Sequence, residues 1–269
     1  MAAELQFSKQ PRALLAVTDS LLMIKRSSTH ILRNTDQLLG TFFQPIMFLV
    51  LFSAVFGGAV GQSLPGGISY LNFLMAGIIV QTVAFGSTTT ALAVCSDLQK
   101  GIVDRFRSLP MSNIAVLNGH VVSDLFRNSI STAVMLLAGL IMGFRSSASF
   151  AEWLMIAGIL LLFTFAFSWL AAIIGVYAKS VEAVQWLTFI IIFPLTFASS
   201  AFVPTAGMNS VLKAFAENQP ITQVVNAVRA LMLNVPVGDY AWKAVAWSLI
   251  ILVISVPIAA TLYNRKTSS

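Results

Sequence analysis

The sequence predicts an all-α membrane protein, built as one bundle of six transmembrane helices. Only 10% of its 269 residues are charged and 57% are hydrophobic, whereas about 25% of a typical soluble domain is charged. No Asp, Glu, Lys or Arg occurs between Gln37 and Ser96, and several apolar runs reach the roughly 20 residues that a helix needs to span a bilayer. Residues 1–269 are therefore expected to form a single transmembrane domain.

The N-terminal residues 9–33 predict an amphipathic helix that lies along the membrane surface. Leu14, Val17 and Leu21 recur at helical spacing, and basic residues opposite such a stripe are typical of an interfacial helix. The candidate interfacial residues are Arg12, Lys25 and Arg26. The alternative is a soluble helix packed on another part of the protein, but the membrane span that follows favours the interface.

The six spans are predicted from apolar runs of membrane length. Their bounds are 38–56, 70–94, 121–144, 153–176, 184–203 and 244–263. Residues 57–67, between the first two spans, are rich in Gly and predict a loop. The second half of span two, residues 86–91, carries small and hydroxylated side chains. Such a surface suits close helix packing or, alternatively, a polar path.

Residues 204–242 are too polar to span the membrane, but they contain one helical stripe. Ile221, Val224 and Val228 fall at positions i, i+3 and i+7, which is the spacing of an amphipathic helix. Pro220 precedes the stripe, and Pro is favoured in the first turn of a helix. We expect one short helix here, at a membrane interface or dipping partly into the membrane.

Residues 96–111, between spans two and three, form a short charged segment with two faces. Leu98, Ile102, Phe106 and Leu109 share one face of a helical wheel. Lys100, Asp104 and Arg107 share the opposite face, Arg105 lies beside the apolar stripe, and Pro110 ends the helix. The pattern predicts a helix parallel to the membrane. A plain interfacial helix that only separates two spans explains the residues equally well.

The distribution of basic residues predicts the orientation. Six spans place both termini on one side, and the segments on that side contain twelve of the sixteen Lys and Arg residues. Cytoplasmic segments of membrane proteins carry the excess of basic residues. Both termini and the charged segment are therefore expected in the cytoplasm, and 204–242 outside. The same rule accounts for the net charge of +6 without a nucleic-acid partner.

No motif predicts catalysis, a metal or a bound cofactor. The sequence lacks the phosphate-binding pattern G-x-x-x-x-G-K-[ST]. Cys95 is the single cysteine, and His30 and His120 are far from one another in the chain. Asp124 and Arg127, three residues apart, are expected to form a solvated ion pair at the cytoplasmic end of span three. The sequence thus predicts a bundle of transporter size without its own energy source, and not an enzyme.

Three local motifs together resemble a known family. The first comprises Lys100, Gly101, Asp104, Arg105, Arg107, Leu109 and Pro110. The others are Gln44-Pro45 in span one and Asn218-Gln219-Pro220 before the apolar stripe. With the six spans, these motifs resemble ABC transporter permeases of the second exporter class (ABC type 2), especially their daunorubicin-resistance branch. Asp104 stands where that family frequently has Glu, which is a conservative departure.

The resemblance implies the membrane half of an export pump in a bacterial-type cell membrane. Two copies of the permease, or one copy and a related permease, pair in the lipid bilayer. Two copies of a separate ABC ATPase dock beneath them and hold ATP and Mg, so the permease binds no cofactor. The interfacial helix and a coupling helix from Lys100 to Pro110 contact the ATPase. The resemblance assigns the external gate to Asn218, Gln219, Pro220 and Arg229.

The substrate implied by the resemblance is an amphipathic drug or a lipid-like molecule, exported from the cytoplasm or the inner leaflet. One alternative is an exporter of a lipid-linked saccharide or polysaccharide. The other is a membrane sensor or immunity subunit of the same fold that transports nothing. The residues themselves leave these functions open.

The coupling helix gives a first prediction. Gly101→Ala or Arg105→Ala is expected to uncouple ATP hydrolysis from export without unfolding the bundle, because both residues would lie in the contact with the ATPase. ATPase rate and export should be measured on the same vesicles. Variants that export normally for each ATP hydrolysed would show that the coupling assignment is wrong.

Overall fold

The fold is described from a computed structural model, in which residues 35–62, 64, 67–100 and 113–268 are described. The predicted interfacial helix 9–33 lies outside these residues. Of the charged segment, only residues 96–100 lie within them.

The all-α prediction is confirmed for the described part of the chain. Five helices or helix pairs are long and apolar enough to cross a membrane, and a sixth apolar helix has 17 residues. The helices are α1 Thr35–Gly61, α2 Tyr70–Gly86, α3 Thr88–Gln99, α4 Asn113–Ile141, α5 Phe150–Tyr177, α6 Val181–Phe197, α7 Ser210–Asn218, α8 Pro220–Met232 and α9 Tyr240–Ser268, with a short 3₁₀ turn at Thr205–Gly207. Helices α2 and α3 together form one span that is interrupted at Ser87.

Several helix bounds differ from the predicted ones for identifiable reasons. Helix α1 continues to Gly61, into the stretch 57–67 that was predicted as a loop. Unpaired backbone groups are costly in hydrocarbon, so a helix can continue through residues that would end it in water. Helix α6 begins three residues before span five was predicted to begin, because the Ser180 hydroxyl caps the Ala183 amide at 3.1 Å.

Residues 204–242 contain two helices instead of the single one predicted. Helix α7 begins at the N-cap Asn209, whose side chain accepts from the Leu212 amide at 2.9 Å. Helix α8 then starts at Pro220, as predicted. Almost every residue of α8 is buried, so this helix packs inside the protein, where it contacts α2, α5 and α9.

Helix α5 is the centre of the bundle. It packs most extensively against α9 and also contacts α2, α3, α4, α6 and α8. Its N-terminus is fixed by a capping box, in which Ser149 and Glu152 satisfy each other's backbone amides. Helix α2 is buried on every face between Phe73 and Ala84, as expected for a helix that is apolar all round.

Two glycines allow backbones to approach closely in this core. A Cβ at Gly175 of α5 would overlap the carbonyl of Ala91 in α3, and a Cβ at Gly77 of α2 would overlap the carbonyl of Ala201. Small residues at such positions let helices pack tightly in a bilayer. The close-packing interpretation of the stretch 86–91 is therefore confirmed at Ala91.

A matched pair of substitutions on α5 tests this packing. Gly175→Ala should lower the free energy of unfolding by about 1–3 kcal/mol, because the added methyl overpacks the contact with α3. Gly158→Ala is the control, since nothing lies within 4 Å of a Cβ there, and it should be neutral or stabilising by up to about 1 kcal/mol. Thermal unfolding in detergent compares the two, and equal shifts would contradict the proposed contact.

Candidate functional site

A groove of about 270 Å³ opens between α1, α6 and the interrupted span α2–α3. Five phenylalanines, three glutamines and one threonine line it, and none of these described residues is charged. They are Gln44, Phe48, Gln81, Phe85, Thr88, Gln185, Phe189, Phe193 and Phe197. The groove therefore combines aromatic surface with amide hydrogen-bonding groups.

Three helices contribute the same pair of residues to the groove. Each supplies a Gln followed four residues later by a Phe: Gln44 and Phe48 in α1, Gln81 and Phe85 in α2, Gln185 and Phe189 in α6. Residues four apart lie on one face of a helix, so each pair faces the groove together. This pattern was visible in the sequence but was not recognised there, and polar residues within membrane spans commonly mark substrate paths.

Gln81 is the most enclosed polar group of the groove. Its side chain is 4% exposed, and its Oε1 has no hydrogen-bond partner among the described residues. Gln44 and Gln185 are exposed. A buried acceptor without a donor is unfavourable by about 1–3 kcal/mol.

A row of phenylalanine rings extends the groove along α6 toward the end of the bundle where α8 lies, termed the α8 end. Ring centroids are 4.8 Å apart for Phe189 and Phe193 and 4.2 Å apart for Phe193 and Phe197. The ring centroids of Phe197 and Phe202 are 4.9 Å apart, and Phe202 stacks on Phe52 of α1 with centroids 4.8 Å apart. Apart from the closer Phe193 and Phe197 pair, these spacings fall in the range of about 4.5–7 Å for interacting aromatic pairs, so the row forms a continuous aromatic wall.

Gln219, one of the predicted gate residues, joins the end of α6 to the start of α8. Its Oε1 accepts from the Ile221 amide at 3.2 Å, which caps α8. Its Nε2 donates to the carbonyls of Leu195 at 2.7 Å and Ala198 at 3.3 Å. Pro220 follows as the first residue of α8. The predicted residue Asn218 is not part of this junction, since it is exposed and bonds the Ala214 carbonyl of its own helix.

Arg229, another predicted gate residue, fastens α8 to two other elements. It is 9% exposed and donates to the carbonyls of Phe73 at 2.9 Å and Ser200 at 2.7 Å. Its guanidinium also lies 3.6 Å from the centroid of the Phe73 ring and donates to Asn226. Burial lowers the pKa of Arg229 to about 9, so the group remains charged at neutral pH and holds α8 through charged hydrogen bonds.

The opposite end of the bundle, termed the Lys100 end, is also tied by side chains. Asp97 pairs with His120 at 3.0 Å and links α3 to α4. Gln99 donates to the Lys179 carbonyl at 2.8 Å, in the turn between α5 and α6. Lys100 is exposed beside these contacts. The remaining predicted coupling residues, Gly101, Asp104, Arg105, Arg107, Leu109 and Pro110, lie outside the described residues, as do Arg12, Lys25 and Arg26.

The prediction of a solvated pair at Asp124 and Arg127 was wrong. The two residues are 1% and 6% exposed. They pair with each other, and Asp124 also accepts from the Ser168 hydroxyl of α5. The physical reason is that α4 begins at Asn113, eight residues before span three was predicted to begin. The pair therefore lies three turns inside a helix instead of at its end.

The apolar helices define a multi-pass membrane protein, with an uncharged groove between its membrane-spanning helices. The model of the ABC-2 type transporter family matches residues 18–233, and the chain belongs to this family. It is 29% identical to the daunorubicin resistance ABC transporter permease protein DrrB1 of Streptomyces coeruleorubidus, over 98% of this chain and 92% of the relative.

Two more distant relatives have other names. The chain is 24% identical to a probable doxorubicin resistance ABC transporter permease protein, DrrC, of Mycobacterium tuberculosis, over 96% of this chain and 93% of the relative. It is also 24% identical to nodulation protein J of Rhizobium leguminosarum, over 85% of this chain and 86% of the relative.

The Arg229 contacts give a prediction for the α8 end. Arg229→Lys should lower the free energy of unfolding by about 2–4 kcal/mol, because Lys cannot replace the forked hydrogen bonds of Arg and each charged bond contributes about 1.5–3 kcal/mol. Arg145→Lys is the control, since Arg145 is exposed and bonds carbonyls next to itself in the chain. Thermal unfolding should separate the two variants, and equal stability would argue against the role of Arg229.

Proposed function

We propose that the chain is the permease subunit of an ATP-driven exporter for amphipathic drugs or lipid-like molecules. The observation that carries this proposal is the groove, whose three Gln and Phe pairs lie within membrane-spanning helices. Family membership supports it, because relatives are named as permeases of daunorubicin and doxorubicin resistance.

The chemistry of the groove supports a particular substrate class. Phenylalanine faces stack against planar rings and also attract cations, while the glutamine amides donate and accept hydrogen bonds. A molecule with fused rings and a few hydroxyl or amine groups would match both surfaces. A large charged glycan would find no charged partner among the described lining residues.

We propose that a second copy of this chain, or a related permease, supplies a further wall of the groove. Helices α1 and α6, which both contribute to the groove, carry large exposed side chains, including Phe43, Val55, Trp186 and Ile190. Exposed apolar surface of this extent faces lipid or a partner in a membrane protein. Pairing through α1 and α6 would enclose two grooves between the subunits, and the lipid bilayer would cover the rest.

The energy source in this proposal is a separate ABC ATPase, in two copies, that holds ATP and Mg. The Lys100 end faces the cytoplasm together with both termini, and the α8 end faces outward from a bacterial-type cell membrane. The coupling residues are Lys100, Gly101, Asp104, Arg105, Arg107, Leu109 and Pro110. Asn218, Gln219, Pro220 and Arg229 form the outer gate.

The groove assignment predicts the behaviour of an aromatic substitution. Phe193→Ala should raise the KM for doxorubicin uptake into inverted membrane vesicles by about two- to tenfold, because one stacking contact contributes about 0.5–1.5 kcal/mol. Phe126→Ala is the control, since Phe126 is exposed on α4 and does not line the groove.

Three results would count against the proposal. Equal effects of the two substitutions would remove the groove from the transport path. Uptake of a lipid-linked saccharide instead of doxorubicin would favour the glycan exporter. Failure of the wild-type chain to bind any ATPase subunit or drug would favour a subunit that transports nothing.

A further inference from the structure

A buried polar cluster lies behind the break between α2 and α3 and does not line the groove. At the break, the Thr90 amide donates to the Ser87 carbonyl at 3.0 Å, a step of three residues in place of the helical four. Because the Thr90 amide bonds Ser87, it does not bond the carbonyl four residues earlier, which is that of Gly86. The Gly86 carbonyl accepts from side chains: the Arg127 guanidinium at 2.7 Å and the Thr89 hydroxyl at 2.9 Å.

Arg127 is held in place by Asp124, which is in turn bound by a residue of a second helix. Asp124, one turn earlier on α4, pairs with it and accepts from Ser168 of α5. The Thr89 hydroxyl lies 3.5 Å from the same carboxylate. The break in the second span is thus connected to α4 and α5 through a single charged cluster. Hydrogen bonds to charged groups are strong and depend on geometry.

The break also forms part of the groove wall. Phe85 precedes it and Thr88 follows it, and both line the groove. The angle between α2 and α3 therefore sets the spacing of two groove residues. The other end of α3 is Gln99, next to the exposed Lys100. A displacement at the Lys100 end would reach the groove through this one backbone element.

The cluster is not saturated in this arrangement. Both amide atoms of Asn128 and Nε of Arg127 are buried without a hydrogen-bond partner among the described residues. Asn128 lies against Gly86, where a Cβ would overlap its amide. Unpaired buried polar groups are unfavourable, so the hydrogen-bonding capacity of the cluster is not fully used in this arrangement.

We propose that Arg127, held by Asp124, is a positioning residue for transport. By binding the Gly86 carbonyl it fixes the angle between α2 and α3, and thereby the width of the groove at Phe85 and Thr88. Movement of α3 by the ATPase changes this angle. The proposal rests on the proposed function for the role of the groove and of the Lys100 end, but the geometry of the break can be measured separately.

The test compares two double variants, each of which removes one negative and one positive charge. Asp124→Asn with Arg127→Gln removes the charged cluster without leaving one buried charge alone, and Gln is too short to replace the reach of Arg. Asp239→Asn with Lys243→Gln removes the exposed pair at the start of α9, whose charged atoms are 3.3 Å apart, and serves as the control. Spin labels replace the exposed residues Met47 of α1 and Lys100, in a Cys95→Ser background diluted with unlabelled chain.

Two readouts are required. The distance distribution between the labels should broaden or shift in the Asp124→Asn, Arg127→Gln variant and should remain that of wild type in the control. The Kd for doxorubicin, measured by fluorescence quenching, should rise at least about fivefold, which is the lower end of coupling between linked sites. Both effects together support the proposal, provided that thermal unfolding shows a folded protein.

Other outcomes decide against it. An unchanged distance distribution overturns the role of Arg127 at the break, whether or not the Kd for doxorubicin changes. A changed distribution with an unchanged Kd overturns the link to the groove. If wild type does not bind doxorubicin, the proposed function fails and the distance readout alone decides the role of Arg127. If the double variant does not fold, Thr89→Val, which removes the second donor to Gly86, must give the same two changes at smaller size.

Discussion

The bundle depends on satisfying, within the protein, the carbonyls at the ends and interruptions of its helices. Hydrocarbon offers no water to these groups, so each needs a donor from the chain. Three basic residues supply such donors. Arg127 bonds Gly86 at the break after α2, Lys266 bonds Val176 and Ala178 at the end of α5, and Arg229 bonds Ser200 in the turn after α6.

This constraint changes how the basic residues are interpreted. The expected orientation rested on twelve basic residues against four. Arg127 was counted on one side and Arg229 on the other, but both are buried inside the bundle. Their positions are set by the helix carbonyls that they bind, and not by the side of the membrane. Without them the count is eleven against three, so the excess of basic residues on which the orientation rests is unchanged.

The sequence was informative where a property depends on local composition. Apolar runs predicted the membrane helices, and Gln219-Pro220 predicted the start of α8, because capping chemistry involves neighbouring residues. Burial of Asp124 could not be predicted, since it follows from the early start of α4 and from Ser168 on another helix. Helix α7 was missed because its nine residues are too short to show a reliable period. The three Gln and Phe pairs are unremarkable one at a time, and only tertiary packing brings them to one groove.

The contacts at the α8 end constrain how a groove on this scaffold can open. Arg229 connects α8 to Phe73 of α2 and to the turn after α6, and Gln219 binds the last carbonyls of α6. Separating α8 from these partners would leave a buried cation and several carbonyls unpaired, which is costly in an apolar environment. Helix α8 is therefore held to the turn after α6 and to the start of α2. Phe52 of α1 stacks on Phe202 beside these contacts, so opening of the groove at the α8 end would have to separate these two rings.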